Sequence, residues 1–123
     1  MKLLIVEDDA GIRKLYGYML RGTGHDAEYA ENLAIAGEKL VSMSECALLI
    51  TDYKLPDGLC LDFVRAFRAK FPSSGVLVAT GSLGVDGELR AAEGIELSGI
   101  LRKPFDPDEA LELIQLVLGA YKK

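Results

Sequence analysis

LLIVEDDAG, residues 3–11, is the stretch on which the fold turns. Four apolar residues run without a break into three consecutive carboxylates, Glu7, Asp8 and Asp9. A short, unbroken apolar run suits a strand covered on both faces, as in a parallel sheet. Acids crowded where such a strand surfaces repel one another and resist desolvation, so the pattern calls for a positive partner among them.

The same apolar signature recurs at residues 47–50 and 76–79, and more weakly at 99–101. A half-exposed alternating piece at 25–30 reads as an edge strand, making five in all. Helical stripes lie between them: Ile12, Leu15, Tyr16, Met19 and Leu20; Leu33, Ala36, Gly37, Leu40 and Val41; Cys60, Phe63, Val64, Phe67 and Phe71; Ala110, Leu113, Ile114, Val117, Leu118 and Tyr121. Asp106, Pro107 and Glu109 spell an N-cap, a first-turn proline and a first-turn acid, so the last helix starts there. A weaker pattern at 81–98, broken by Gly84, Gly87 and Gly94, predicts a short or mobile fourth helix. Strand and helix alternate from end to end, which implies right-handed crossovers and an α/β, doubly wound parallel sheet with helices on both faces.

With 123 residues, 50% of them hydrophobic and 27% charged, the chain fits a single domain over 1–123. Its net charge of -5 opposes direct nucleic-acid binding, which needs a basic face to displace phosphate counterions. The N-terminal apolar run is far too short for a signal segment or a membrane span, so a cytoplasmic protein without a membrane partner is expected. Cys46 and Cys60 lack C-x-x-C spacing and histidine partners, and read as small buried side chains. His25, the only histidine, reads as surface decoration.

Ligands of open parallel sheets bind outside the carboxyl ends of the strands, where strand order reverses. The strands deliver Glu7, Asp8 and Asp9, then Asp52, then Thr80, then Lys103 to that edge. Carboxylates from two strands suit a hard divalent ion such as Mg²⁺, and a lysine and a hydroxyl beside them suit phosphate oxygens. Together these groups describe a site built around a phosphoryl group.

Four motifs in order, IVEDD (5–9), ITDYKLPDG (50–58), VATG (78–81) and LRKPF (101–105), make the chain resemble the receiver domains of two-component response regulators. The resemblance implies a flavodoxin-like sheet of order 2-1-3-4-5. It makes Asp52 the phosphoacceptor, Glu7 and Asp8 the acidic pocket, and Asp8, Asp52 and the Lys54 backbone carbonyl the ligands of Mg²⁺, or of Mn²⁺ in its place. Thr80 and Lys103 would hold phosphate oxygens. The implied partners are a sensor histidine kinase or histidine phosphotransfer protein upstream and another protein downstream. The chain would be a phosphorylation-dependent signalling switch, not a classical enzyme, that promotes its own phosphoryl transfer and autodephosphorylation.

Lys54 and Ser82, two positions beyond Asp52 and Thr80, would set the lifetime of the phosphoryl group. Many receivers carry an aromatic residue three positions before the lysine, where this chain has Ile100. A β-branched side chain cannot report by ring rotation, so the segment 84–94 is expected to move instead. The downstream protein would dock on the face it shares with the fifth strand and last helix. Met1 reads as a natural start; the chain itself carries no output domain, and it is either a free-standing receiver or a fragment of a larger protein.

Two other readings compete. An aspartyl-phosphate phosphatase of the haloacid dehalogenase type usually has a second acid two residues after its nucleophile, where Lys54 stands here, and no cap insertion is present. A phosphorylation-independent scaffold would be expected to have a broken acceptor site, which this chain does not. Asp9 reads as a helix cap and Asp57-Gly58 as turn chemistry.

Overall fold

The structure, a computed structural model, describes residues 1–81 and 95–121. Ser82 and the segment 84–94 lie outside the described residues. β1 (Lys2–Val6) buries all four of its apolar side chains because both faces of the sheet are covered. Leu4 and Val6 enter one apolar cluster while Leu3 and Ile5 enter the other, as the period of two along a strand requires.

Chain order continues as α1 (Ala10–Leu20), β2 (Asp26–Ala30), α2 (Leu33–Ser42), β3 (Leu48–Asp52), β4 (Lys54–Leu55), β5 (Gly58–Leu59), α3 (Leu61–Lys70), β6 (Gly75–Thr80), β7 (Gly99–Arg102) and a fourth described helix, α4 (Pro107–Gly119). The main sheet runs β2-β1-β3-β6-β7, with every neighbouring pair parallel. Setting the hairpin β4–β5 aside, this is the expected order 2-1-3-4-5. Strand order therefore reverses between β1 and β3, and their carboxyl ends open one crevice. Ala36, Leu40, Phe63, Val64 and Phe67 of α2 and α3 fill one face. Tyr16, Met19, Leu20, Ala110, Ile114 and Leu118 of α1 and α4 fill the other.

Side-chain caps start three of these helices. Asp9 accepts from the Ile12 amide at 3.0 Å, Asn32 from Ile35 at 2.8 Å, and Asp106 from Asp108 and Glu109 at 2.8 and 3.1 Å. The edge strand begins at Asp26 rather than at His25, whose ring instead bridges the Met1 amino group (3.1 Å) and Gln115 Oε1 (2.9 Å). Cys46 and Cys60 are buried and free. The antiparallel hairpin β4–β5 was not legible as strand, because its two pairs, Lys54 with Leu59 and Leu55 with Gly58, are too short for any periodicity. No described helix is long and apolar enough to cross a membrane.

Gly75 opens β6 directly beneath α4. A Cβ there would collide with Val117 Cγ1 and press on Leu48 Cδ1 and Ser98 Oγ at 3.2 and 3.3 Å. Val117 is β-branched and cannot easily swing clear. Gly75→Ala is therefore expected to cost about 1–3 kcal/mol by overpacking. The check is a fall in the urea midpoint at constant slope, and an unchanged midpoint would mean that α4 yields freely.

Candidate functional site

The carboxyl ends of β1 and β3 deliver the acids. Val6 lies opposite Thr51, so one further step along the same register sets Glu7 beside Asp52, the last residue of β3. The Glu7 amide donates to Ala30 O at 2.9 Å, which extends the β1–β2 pairing by one residue and fixes the direction of the Glu7 side chain. Glu7 is 1% exposed and Asp52 5% exposed, whereas Asp8 faces solvent. Thr80 ends β6, buried, opposite Arg102 of β7. The next amide, that of Lys103, donates to Thr80 O at 2.9 Å, so the hydroxyl and the ammonium are carried on one locked backbone junction.

From there Lys103 reaches both acids: its Nζ lies 2.6 Å from Glu7 Oε1 and 2.7 Å from Asp52 Oδ1. This ammonium is a positive partner of the kind that the carboxylate run called for. Glu7 and Asp52 also interact directly, carboxyl against carboxyl. Burial, then the bond to Glu7, pushes the Asp52 carboxyl well above the usual range, against the pull of Lys103. Burial opposes the Glu7 charge too, but the bonds from Asp52, Lys103 and the Asp9 amide outweigh it and hold Glu7 below the usual range. Burial works against the Lys103 charge, yet the bonds to Asp52 and Glu7 prevail and hold its pKa above that of an ordinary lysine.

Glu7, Asp8 and Asp52 each present one carboxylate oxygen, and the three oxygens lie within 4.8 Å of one another. An all-oxygen, doubly strand-anchored donor set fits Mg²⁺ or Mn²⁺ and does not favour thiolate- or imidazole-seeking ions. Lys54, two residues on, sits in β4 with its side chain in solvent. The intervening Tyr53 amide donates to Ala79 O at 2.9 Å, which ties that stretch of backbone to the sheet. Asp9 stands apart as the α1 cap.

Sequence reasoning missed two contributors. Arg13 Nη1 donates to the Glu7 carbonyl at 2.7 Å, bracing the turn between β1 and α1; a basic residue one turn into a helix that follows an acid run was the available signal. Tyr16 lies buried on α1, its ring 5.5 Å from that of Phe105. Burial, then the charges of Asp52 and Glu7, push its hydroxyl well up, so it stays neutral.

A family model described as the response regulator receiver domain matches residues 3–115. The chain belongs to the response regulator receiver domain family. It is 32% identical to the chemotaxis protein CheY1 of Helicobacter pylori over 97% of this chain and 98% of that protein. The non-phosphorylated HemR receiver domain of Leptospira biflexa superposes with a TM-score of 0.85 at 26% identity, covering 99% of this chain and 97% of the other. The beryllofluoride-activated NtrC4 receiver domain dimer gives 0.85 at 26% identity, covering 98% of each chain.

The raised Asp52 pKa has a consequence for stability. A carboxyl whose pKa is higher folded than unfolded contributes stability that is complete below the ordinary aspartate range and is lost as pH rises through the folded value. In metal-free buffer, Asp52→Asn removes that loss while keeping the side chain's size. The variant's advantage in urea midpoint over the parent is expected to grow with pH across that window. Parallel midpoint curves would contradict the raised Asp52 pKa.

Proposed function

We propose that the chain is a phosphorylation-dependent signalling switch in which Asp52 accepts a phosphoryl group in a Mg²⁺-dependent reaction. The observation that carries this reading is the convergence of Lys103 on Asp52 and Glu7, with an oxygen of Asp8 in the same 4.8 Å cluster. Asp8, Asp52 and the Lys54 carbonyl would hold the cation. When bound, Mg²⁺ offsets the charge repulsion between the carboxylate and the phosphoryl oxygens.

In this reading an Asp52 carboxylate oxygen attacks the phosphorus of a phosphohistidine on a histidine kinase or phosphotransfer protein. The new O–P bond forms as the P–N bond breaks, and the donor nitrogen keeps the electron pair. Lys103, already within 2.7 Å of the reacting carboxylate, exchanges a carboxylate for a phosphoryl oxygen, and the Thr80 hydroxyl takes another. Glu7 keeps the pocket acidic and retains Lys103 between transfers. Loss of the phosphoryl group is attack of water on phosphorus: the O–P bond to Asp52 breaks, the carboxylate is regenerated and inorganic phosphate leaves, and the exposed Lys54 flanks that approach.

The phosphatase reading is weaker, because Lys54 stands where a second acid would act. Signal output is assigned to the face of β7 and α4 together with the segment 84–94. Ile100, half-buried against the α2–α3 cluster, supports an exit other than ring rotation.

Incubation with acetyl phosphate and Mg²⁺, followed by peptide mapping in a mass spectrometer, is expected to place one phosphoryl group on Asp52. Chelation or Asp52→Asn abolishes it. Asp8→Ala should weaken Mg²⁺ binding at least tenfold, roughly 1.4 kcal/mol, and Asp9→Ala by less than about twofold. Labelling at Asp9 or Asp57, or sustained turnover of a phosphate ester, would overturn the reading.

A further inference from the structure

The turn residue Asp57 does more than turn the chain. It sits at the tip of the β4–β5 hairpin, between the paired residues Leu55 and Gly58. Its carboxylate grips a helix remote in sequence: the Leu33 amide donates to Oδ1 at 2.9 Å and the Ala34 amide to Oδ2 at 3.0 Å. These are the first two amides of α2, which have no partner within the helix. The first turn of α2 contains no acid, and its own cap, the neutral Asn32, serves Ile35. Asp57 therefore supplies from outside the negative charge that a helix N-terminus favours.

The approach is close. Gly58 adopts φ 143°, a conformation that L side chains rarely adopt, and a Cβ there would already stand 3.6 Å from Leu33 Cδ1. At its other end the hairpin is closed by the Cys60 amide on Tyr53 O at 2.9 Å, one residue from Asp52. Lys54 occupies the first pair. The hairpin is thus held at its base by the sheet and at its tip by α2, and the backbone carrying Lys54 runs between the two anchors. α2 is braced in turn at its far end, where Lys70 of α3 donates to Leu40 O and Val41 O at 2.5 and 3.1 Å.

We infer that Asp57 is a positioning residue for the metal site: its two-amide grip on α2 holds the β4–β5 hairpin so that the Lys54 carbonyl stays in register with Asp8 and Asp52. The inference rests on the reading of those groups as the Mg²⁺ ligands. It couples site and helix in both directions, because an ion that fixes the hairpin also fixes Asp57 against α2.

Mg²⁺ titration by calorimetry on the full chain tests it, with far-UV circular dichroism confirming that each variant is folded. Asp57→Asn retains a single acceptor oxygen and no charge, and is expected to weaken Mg²⁺ binding about threefold to tenfold. Leu33→Pro deletes one donor from the helix side without touching Asp57, and should shift affinity in the same direction even where Asp57→Asn fails to fold. Proline is tolerated at a first helical position, and the extended backbone of Asn32 (φ -155°, ψ 174°) is what the residue before a proline requires. Asn32→Ala removes the other cap of α2 and should leave affinity within about twofold of the parent. Parental affinity in both Asp57→Asn and Leu33→Pro would overturn the inference, as would an equal loss in Asn32→Ala, which would trace the effect to helix stability alone. If the unaltered protein binds no Mg²⁺, the reading of the site falls first and takes this inference with it.

Discussion

Lys103 stands between two buried acids, 2.6 Å from Glu7 and 2.7 Å from Asp52, and much of the molecule's chemistry follows from that contact. Two carboxyls with almost no exposure, on adjacent strands of one sheet, could not both be charged without a cation. The strand order brings them together, and the same order brings the end of β7 round to supply the ammonium. The bridge therefore links fold and function. It offsets the charge of the two buried acids and positions the group that would meet an incoming phosphoryl oxygen.

The sheet was legible in the sequence because buried parallel strands announce themselves as unbroken apolar runs: residues 3–6 and 76–79 proved to be strand cores, as did 48–50 of the run 47–50, whose Ala47 lies just before β3. Helix starts at Asp9 and Asp106 were legible for the same local reason, a side-chain acceptor placed just ahead of orphan amides. Glu7, Asp8, Asp52, Thr80 and Lys103 could be named because each lies within two residues of the end of an apolar run. Nothing local showed that Lys103 would bridge Glu7 and Asp52, because the bridge depends on register between strands far apart in sequence. Asp57 looked like a turn residue because its neighbours Pro56 and Gly58 explain a turn completely. Its bonds to Leu33 and Ala34 span more than twenty positions and leave no periodic trace.

The hairpin and α2 extend the site beyond its charged groups. In this chain Arg13 braces the turn after β1, and the β4–β5 hairpin is pinned between the sheet and α2.

The central claim is that Lys103 is a phosphoryl ligand held in reserve by Glu7 and Asp52. A crystal structure of the protein with Mg²⁺ and beryllofluoride tests it most directly. The expected result is a fluoroberyllate on an Asp52 oxygen, the ion on Asp8, Asp52 and the Lys54 carbonyl, and the Lys103 ammonium moved from its carboxylates to a fluorine. A Lys103 still bridging Glu7 and Asp52, with the ion or the fluoroberyllate bound elsewhere, would contradict it.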